Sequence, residues 1–233
     1  MRITHLRYEM LRIVFAAYRD WALDVLPAIK SHPNVSHVHH VRSIRELEDF
    51  IENTNEHFDM VMLCGWSWQV SQGLLSKILV VSEHPAYLDD YSLGTPLQGQ
   101  IDDGITRTKH RVVKIGYPEL GERLYSPNHE VDMNLTGNMD DILGEMRSTA
   151  KTIYTRFLDD FPNFEWRQWP KSETYRTPRK PVDSKISLEE LSTLGTARLY
   201  DKIRMLESPY PNAFIEDEDG ILYFNRVSYK RKR

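Results

Sequence analysis

Cysteine is nearly missing: Cys64 is the single one in 233 residues. That excludes an intramolecular disulfide and any cysteine-built zinc cluster. No apolar run is long enough to cross a bilayer, so no membrane partner is expected. The opening Met1-Arg2-Ile3-Thr4-His5 lacks the apolar block and small-residue cleavage site of a secretory signal, which makes a cytoplasmic location the expectation. Excess positive charge is absent too. A formal charge of −4 argues against broad attraction to polyphosphate, so nucleic acid is not an expected partner. One basic run, Lys230-Arg231-Lys232-Arg233, reads as a solvated tail. There is no phosphate-cradling loop, and the first strand leaves through Phe15-Ala16-Ala17-Tyr18 without the dinucleotide glycine fingerprint. A nicotinamide oxidoreductase is therefore not expected. The run His37-Val38-His39-His40 invites a metal, but a strand would put His40 on the face opposite His37 and His39. No carboxylate stands at zinc-ligand spacing, and no metal is expected.

Apolar residues make up 40% of the chain, enough for a substantial core. Strand and helix patterns alternate through the first half. Ile13 to Ala17 has the length of a buried strand, and a helix with a kink or early start at Pro27 follows. Val35 to Val41 is a second strand, and Ser43-Ile44-Arg45-Glu46 has the form of a capping box before Leu47, Phe50 and Ile51. Phe58 to Leu63 and Ile78 to Val81 are further strands, with a short helix around Leu74-Leu75. Strands alternating with helices imply βαβ crossovers and a mostly parallel, Rossmann-like sheet in an α/β fold. Beyond it the pattern predicts a helix over 96–102, a strand at 111–115 with a hairpin partner near 123–125, and a long helix over 139–161. Residues 162–186 form an irregular connection in which Trp166, Trp169 and Tyr175 chiefly seal the core. A small C-terminal module over 187–233 has a helix at 188–205 and a closing β-hairpin, Ala213-Phe214-Ile215 with Ile221-Leu222-Tyr223-Phe224. The expected division is 1–161, 162–186 and 187–233.

The most informative stretch is Val80-Val81-Ser82-Glu83-His84-Pro85-Ala86-Tyr87-Leu88, followed by Gly94-Thr95-Pro96-Leu97-Gln98. It places a histidine where an apolar strand meets a proline-containing loop. The carboxyl ends of strands in open α/β sheets are where ligands bind, and a histidine there can take a proton near neutral pH. Two further loops flank strand ends, Tyr18-Arg19-Asp20-Trp21-Ala22 and Gly65-Trp66-Ser67-Trp68. In extended chain, Trp66 and Trp68 would face opposite ways. Arg19 could meet a phosphate or equally pair with Asp20 or a sheet neighbour. The acid pairs Asp102-Asp103 and Asp140-Asp141 sit at helix boundaries, where solvated carboxylates are ordinary.

Together these segments resemble the formyltransferases that use 10-formyltetrahydrofolate, above all the nucleotide-sugar N-formyltransferases and their methionyl-tRNA-formyltransferase-like relatives. His84-Pro85-Ala86-Tyr87-Leu88 is similar to the family's His-Pro-Ser-Leu-Leu signature. Tyr91-Ser92-Leu93-Gly94-Thr95-Pro96-Leu97-Gln98 resembles its Tyr-Arg-Gly-Gly-Ser-Pro-Leu-Gln turn. Residues 179–184, 203–206 and 210–214 look like its small C-terminal segment. The resemblance implies a Rossmann-like α/β domain and transfer of a formyl group from 10-formyltetrahydrofolate to an amine. The implied acceptor is a nucleotide-linked amino sugar. It assigns Gly65, Trp66, Ser67, Trp68, Tyr87 and Leu88 to the folate, and Tyr18, Arg19, Trp21, Gly94, Thr95, Pro96 and Gln98 to the substrate.

The family works with an asparagine two residues before the histidine and an aspartate further along. Here the first position is Ser82, and the second region reads Glu119-Leu120-Gly121-Glu122-Arg123. His84 is then the implied proton acceptor, with Ser82 and either Glu119 or Glu122 standing in for the missing partners. A relative that binds folate or a nucleotide without turnover, as a regulator or subunit, is the alternative, as is transfer of another one-carbon group. The assembly state stays open, a homodimer included.

Overall fold

The computed structural model describes residues 10–88, 90–91, 94–116, 123–170 and 176–231. Nine strands and eight helices are named here in chain order. The first half runs β1 (Leu11–Ala16), α1 (Asp20–Leu23), α2 (Leu26–Lys30), β2 (Val35–Val41), α3 (Ile44–Asn53), β3 (Met60–Leu63), α4 (Gln72–Leu75) and β4 (Leu79–His84). It continues with α5 (Pro96–Asp102), β5 (Arg107–Lys114), β6 (Leu124–Asn134), α6 (Met139–Asp160) and β7 (Arg167–Gln168). A 3-10 turn (Pro181–Ser184), α7 (Leu188–Thr193), α8 (Thr196–Arg204), β8 (Ala213–Glu216) and β9 (Ile221–Phe224) close the chain. The polypeptide forms two compact units: residues 1–84, 111–130 and 147–168 make the first, and 85–110, 131–146 and 169–233 the second.

Seven strands form one sheet in the order β2-β1-β3-β4-β5-β6-β7. β1 pairs in parallel with β2 and β3, and β3 in parallel with β4. β5 runs antiparallel to β4. The α/β expectation holds, with a parallel core extended by antiparallel strands. The apolar runs explain that core. Val14, Ala16, Val61, Leu63 and Val80 turn to one face and pack with Leu47 of α3 and Leu74 of α4. Their neighbours Ile13, Phe15, Met60 and Met62 are closed off on the other face. Burying each such side chain stabilises the fold by about 1.5–3 kcal/mol.

Several local expectations are refined. Pro27 splits the first helical stretch, sitting in the first turn of α2 where its missing N–H costs nothing. Ser43 caps α3, its hydroxyl accepting the Glu46 amide at 3.2 Å. Glu46 reaches back one residue further than a capping box requires, accepting the Arg42 amide at 2.6 Å. The helix expected over 188–205 breaks at Leu194, and Gly195 is the N-cap of α8. β4 runs on to residue 84 because β5 pairs with its end, Val81 with Lys114 through His84 with Arg111. His84 is thus the last residue of the strand, at the strand–loop junction that was expected, although the strand itself was expected to end at Val81.

The connection after α6 is tied down by aromatics. Trp166 packs on Phe164 and Phe157. His129 of β6 stands among them, its Nδ1 2.6 Å from the Ser126 hydroxyl and its Nε2 3.1 Å from Asp160. Ser126 is fully buried, so this Ser-His-Asp chain braces β6 against the end of α6 and offers no nucleophile. Tyr175 lies outside the described residues. Among the described residues no helix is long and apolar enough to cross a membrane.

Burial pulls the His129 pKa below the ordinary histidine value, against the opposing pull of Asp160. The folded state then binds this proton less readily than the unfolded chain. Its contribution is complete above about pH 6.5 and is lost as the pH falls from there through the depressed folded value. Urea midpoints should therefore drop below pH 6.5, and the drop should shrink in His129→Asn.

Candidate active site

The first unit gathers its candidate residues at the carboxyl ends of β1, β3 and β4. That is where an open parallel sheet leaves backbone groups and loops available. At the end of β3 the chain turns at Gly65 with φ of +60°, a conformation that disfavours a side chain. A Cβ there would stand 2.9 Å from Ala22 Cβ and 3.0 Å from the Trp21 ring. Gly65 is held from both sides: its N–H donates to Glu83 Oε1 at 3.0 Å, and its carbonyl accepts Arg19 Nε at 3.2 Å.

Because of that turn, Trp66 and Trp68 do not point to opposite faces. Their rings meet at 4.8 Å in a T-shaped contact. Tyr18, at the end of β1, lies 4.3 Å from Trp68 and 6.2 Å from Trp66, and its hydroxyl is 2.7 Å from Ser67 Oγ. Arg19 stacks over Tyr18 at 5.1 Å. Tyr18 and Arg19, assigned from the sequence to substrate, and Trp66, Ser67 and Trp68, assigned to folate, therefore form one cluster in the first unit. Trp68 is 38% exposed and Trp21 only 8%. The indole N–H of Trp66 and that of Trp21 are buried without an acceptor among the described residues. Such a donor is costly to leave unpaired.

On β4, Ser82 and His84 fall on one side of the pleat and Glu83 on the other. The Ser82 hydroxyl donates to main-chain carbonyls, that of Glu83 at 3.2 Å or that of Leu63 at 3.4 Å. His84 keeps 9% of its surface open, whereas His110 and His129 are fully closed. Sequence reasoning missed Glu83. Its negative charge helps push up both the Cys64 thiol and the Tyr154 hydroxyl, burial being the larger cause in each. Cys64 is therefore a protonated core residue. The signal that could have found Glu83 is a lone carboxylate ending an apolar strand. Glu119 and Glu122 lie outside the described residues.

The second unit holds the other candidates around a buried amide. Gln100 of α5 is fully buried. It donates to the carbonyls of Pro85 and Pro96 at 2.9 and 3.2 Å and accepts from Tyr87 N at 3.3 Å and from the Thr108 hydroxyl. Leu88 and Gln98 are buried and Tyr87 is exposed. Thr95 precedes α5, Pro96 opens it, and Gly94 has φ of +82°. A Cβ on Gly94 would lie 2.6 Å from the Arg176 carbonyl. Asp103 accepts both the Tyr91 hydroxyl and Arg176 at 2.6 Å, and Arg176 stacks on Tyr91 at 4.6 Å. Asp102 approaches Arg179 at 4.0 Å. These two acids therefore hold residues 176–179 and are not idle surface charges. Burial and Asp103 together push Tyr91 up to about 12.

The histidine run carries structure: His39 stacks on Phe50 at 3.7 Å and His37 meets the Phe58 edge at 5.8 Å. His40 Nε2 is 3.0 Å from the Ala17 carbonyl. Among the described residues no group of three or more histidine, cysteine or acidic side chains is placed to hold a metal ion.

Comparison with known proteins gives this arrangement a context. Residues 181–233 match the family model of the methionyl-tRNA formyltransferase C-terminal domain. Among solved structures, a methionyl-tRNA formyltransferase from Clostridium thermocellum superposes with a TM-score of 0.77 at 22% identity, covering 94% of each chain. A 4-N formyltransferase from Francisella tularensis gives 0.71 at 14% identity, covering 96% of this chain and all of that one. HypX from Aquifex aeolicus in complex with tetrahydrofolic acid gives 0.66 at 12% identity over 89% of this chain and 36% of its own. No curated protein sequence matches.

Glu83→Ala should lower stability by roughly 1.5–3 kcal/mol, the worth of a hydrogen bond to a charged acceptor. Glu83→Gln keeps an acceptor and should cost less, and Gly65→Ala should cost about 1–3 kcal/mol from backbone strain. Urea unfolding followed by tryptophan fluorescence measures all three.

Proposed function

We propose that this chain, which has the formyltransferase fold and whose residues 181–233 match the methionyl-tRNA formyltransferase C-terminal-domain family, transfers a formyl group from 10-formyltetrahydrofolate to an amine. The acceptor in this reading is the amino group of a nucleotide-linked sugar. The observation that carries it is His84 ending β4, at the carboxyl edge of the parallel core and less tightly enclosed than the fully buried His110 and His129.

The folate, when bound, supplies the activated formyl carbon. The residues of the first unit suit such a group. Tyr18, Trp66 and Trp68 offer an aromatic surface, and the unpaired Trp66 N–H could meet a ring carbonyl or nitrogen. His84 takes the proton that the attacking amine must lose. Ser82 would answer the negative charge building on the formyl oxygen by turning its hydroxyl from main-chain carbonyls it holds at 3.2 and 3.4 Å. Those contacts are long for an O–H donor and cost little to give up. Tyr87 and Leu88 are further folate candidates, and Gly94, Thr95, Pro96 and Gln98 substrate candidates. Glu119 or Glu122 remains the proposed carboxylate partner of the histidine.

A net charge of −4 disfavours tRNA as the acceptor, because phosphate contacts need a basic face. HypX, crystallised with tetrahydrofolic acid, supports the choice of a folate. The present attachment of the Ser82 proton to carbonyls favours one second reading, a folate- or nucleotide-binding relative without turnover.

Incubation with 10-formyltetrahydrofolate and a panel of nucleotide amino sugars should release tetrahydrofolate with at least one acceptor. His84→Ala should lower kcat by about 100- to 10,000-fold, and Ser82→Ala by about 100-fold. Binding of folate with no release by the unaltered protein would leave the second reading standing and refute the first.

A further inference from the structure

We infer that the cavity between α8 and residues 227–231 is a nucleotide-binding site. It takes a nucleoside diphosphate, with the base on Tyr229 and the phosphates toward Lys230 and Arg231. The cavity has a volume of about 700 Å³, within the range of small-ligand pockets. Every residue that lines it belongs to the second unit. None of them is among the residues proposed for formyl transfer.

The lining begins with an aromatic wall. The rings of Tyr200 and Tyr229 stand 5.6 Å apart with their planes 29° from parallel. Tyr200 is fixed before any ligand arrives. Its hydroxyl donates to the Gly137 carbonyl at 3.3 Å, and the guanidinium of Arg204 lies over its ring at 5.4 Å. Arg204 is itself buried and held by the carbonyls of Leu135 and Gly137. Tyr229, by contrast, is 42% exposed, which leaves ring surface for a base. Stacking on a wall already in place spares much of the ordering cost of binding. Leu199, Ile203 and Val227 add apolar lining.

Charge then selects the ligand. Lys230 and Arg231 also line the cavity, and no acidic side chain does among the described residues. Neither cation is paired with a carboxylate among the described residues. An uncharged apolar ligand would leave both cations unused, and a small inorganic anion would leave the aromatic wall unused. A nucleoside diphosphate engages both, because its base stacks and its two phosphates meet two adjacent cations. The hydroxyls of Thr196 and Ser228, also in the lining, suit ribose or phosphate oxygens. A strand of RNA would need a longer basic face than these two residues provide.

Isothermal titration of the full chain with adenosine diphosphate tests the site, and a photoactivatable 8-azido analogue of the same nucleotide locates it. The nucleotide should bind, and the label should fall on the peptide that carries Tyr229. Tyr229→Ala should weaken this binding about tenfold, while Tyr229→Phe, which keeps the ring, should retain it. Lys230→Glu together with Arg231→Glu should weaken it by at least about tenfold. Arg19→Ala, in the first unit, should leave the labelling of that peptide unchanged, so failure of the proposed transfer and failure of this site are read separately. Absence of binding, or binding indifferent to Tyr229→Ala, would overturn the inference. So would pyrophosphate binding as tightly as the nucleotide, the mark of a bare basic tail, or a short single-stranded RNA binding tenfold more tightly.

Discussion

The hydrogen bond from the Gly65 amide to the Glu83 carboxylate ties the turn after β3 to the end of β4, one residue before His84. Both partners sit just past Leu63 and Ser82, where the parallel pairing of β3 with β4 ends and something else must fix the loop after β3. A glycine is required because the turn is left-handed and pressed against Ala22 and Trp21. A carboxylate suits the other end because a charged acceptor makes a stronger bond than a neutral one. From this tie follow the placement of Trp66 and Trp68, their contact with Tyr18, and the position of Arg19 on the Gly65 carbonyl.

The same economy appears in the second unit, with a neutral group in the central role. Gln100 has two donors and one acceptor atom, and it uses all of them on the segment after His84, the start of α5 and Thr108. A buried amide satisfied on every side fixes its neighbours far more narrowly than an apolar side chain of equal size. Asp103 does comparable work with Tyr91 and Arg176. Each unit thus positions its candidate residues through polar ties at loop ends, while the apolar core supplies the bulk of the stability.

The C-terminal module is organised differently. Val227, Ser228, Tyr229 and the basic residues to Arg231 lie along α8 with Leu199, Tyr200 and Ile203, around a cavity of about 700 Å³. Tyr229 stacks on Tyr200 at 5.6 Å. Lys230 and Arg231, the described part of the run that reads as a solvated tail, are exposed at the rim of this cavity. Arg204 explains part of the order in this module. It is buried, and it donates to the carbonyls of Leu135 and Gly137 while pairing with Asp201.

By itself the sequence determined the alternation of strands and helices, the parallel core and the closing hairpin. These depend on local periodicity and on apolar run lengths that any chain of this kind must obey. Ile142, Met146, Ile153 and Phe157 all face inward on α6 as their spacing requires. The order of motifs likewise carried the resemblance to formyltransferases. Tertiary structure alone decided that β4 continues to His84, because the pairing strand β5 comes from a distant part of the chain. It alone decided that Trp66 and Trp68 turn the same way, since that rests on one positive dihedral angle. It also gave Glu83 its role, because a hydrogen bond across eighteen residues leaves no trace in either residue's neighbours.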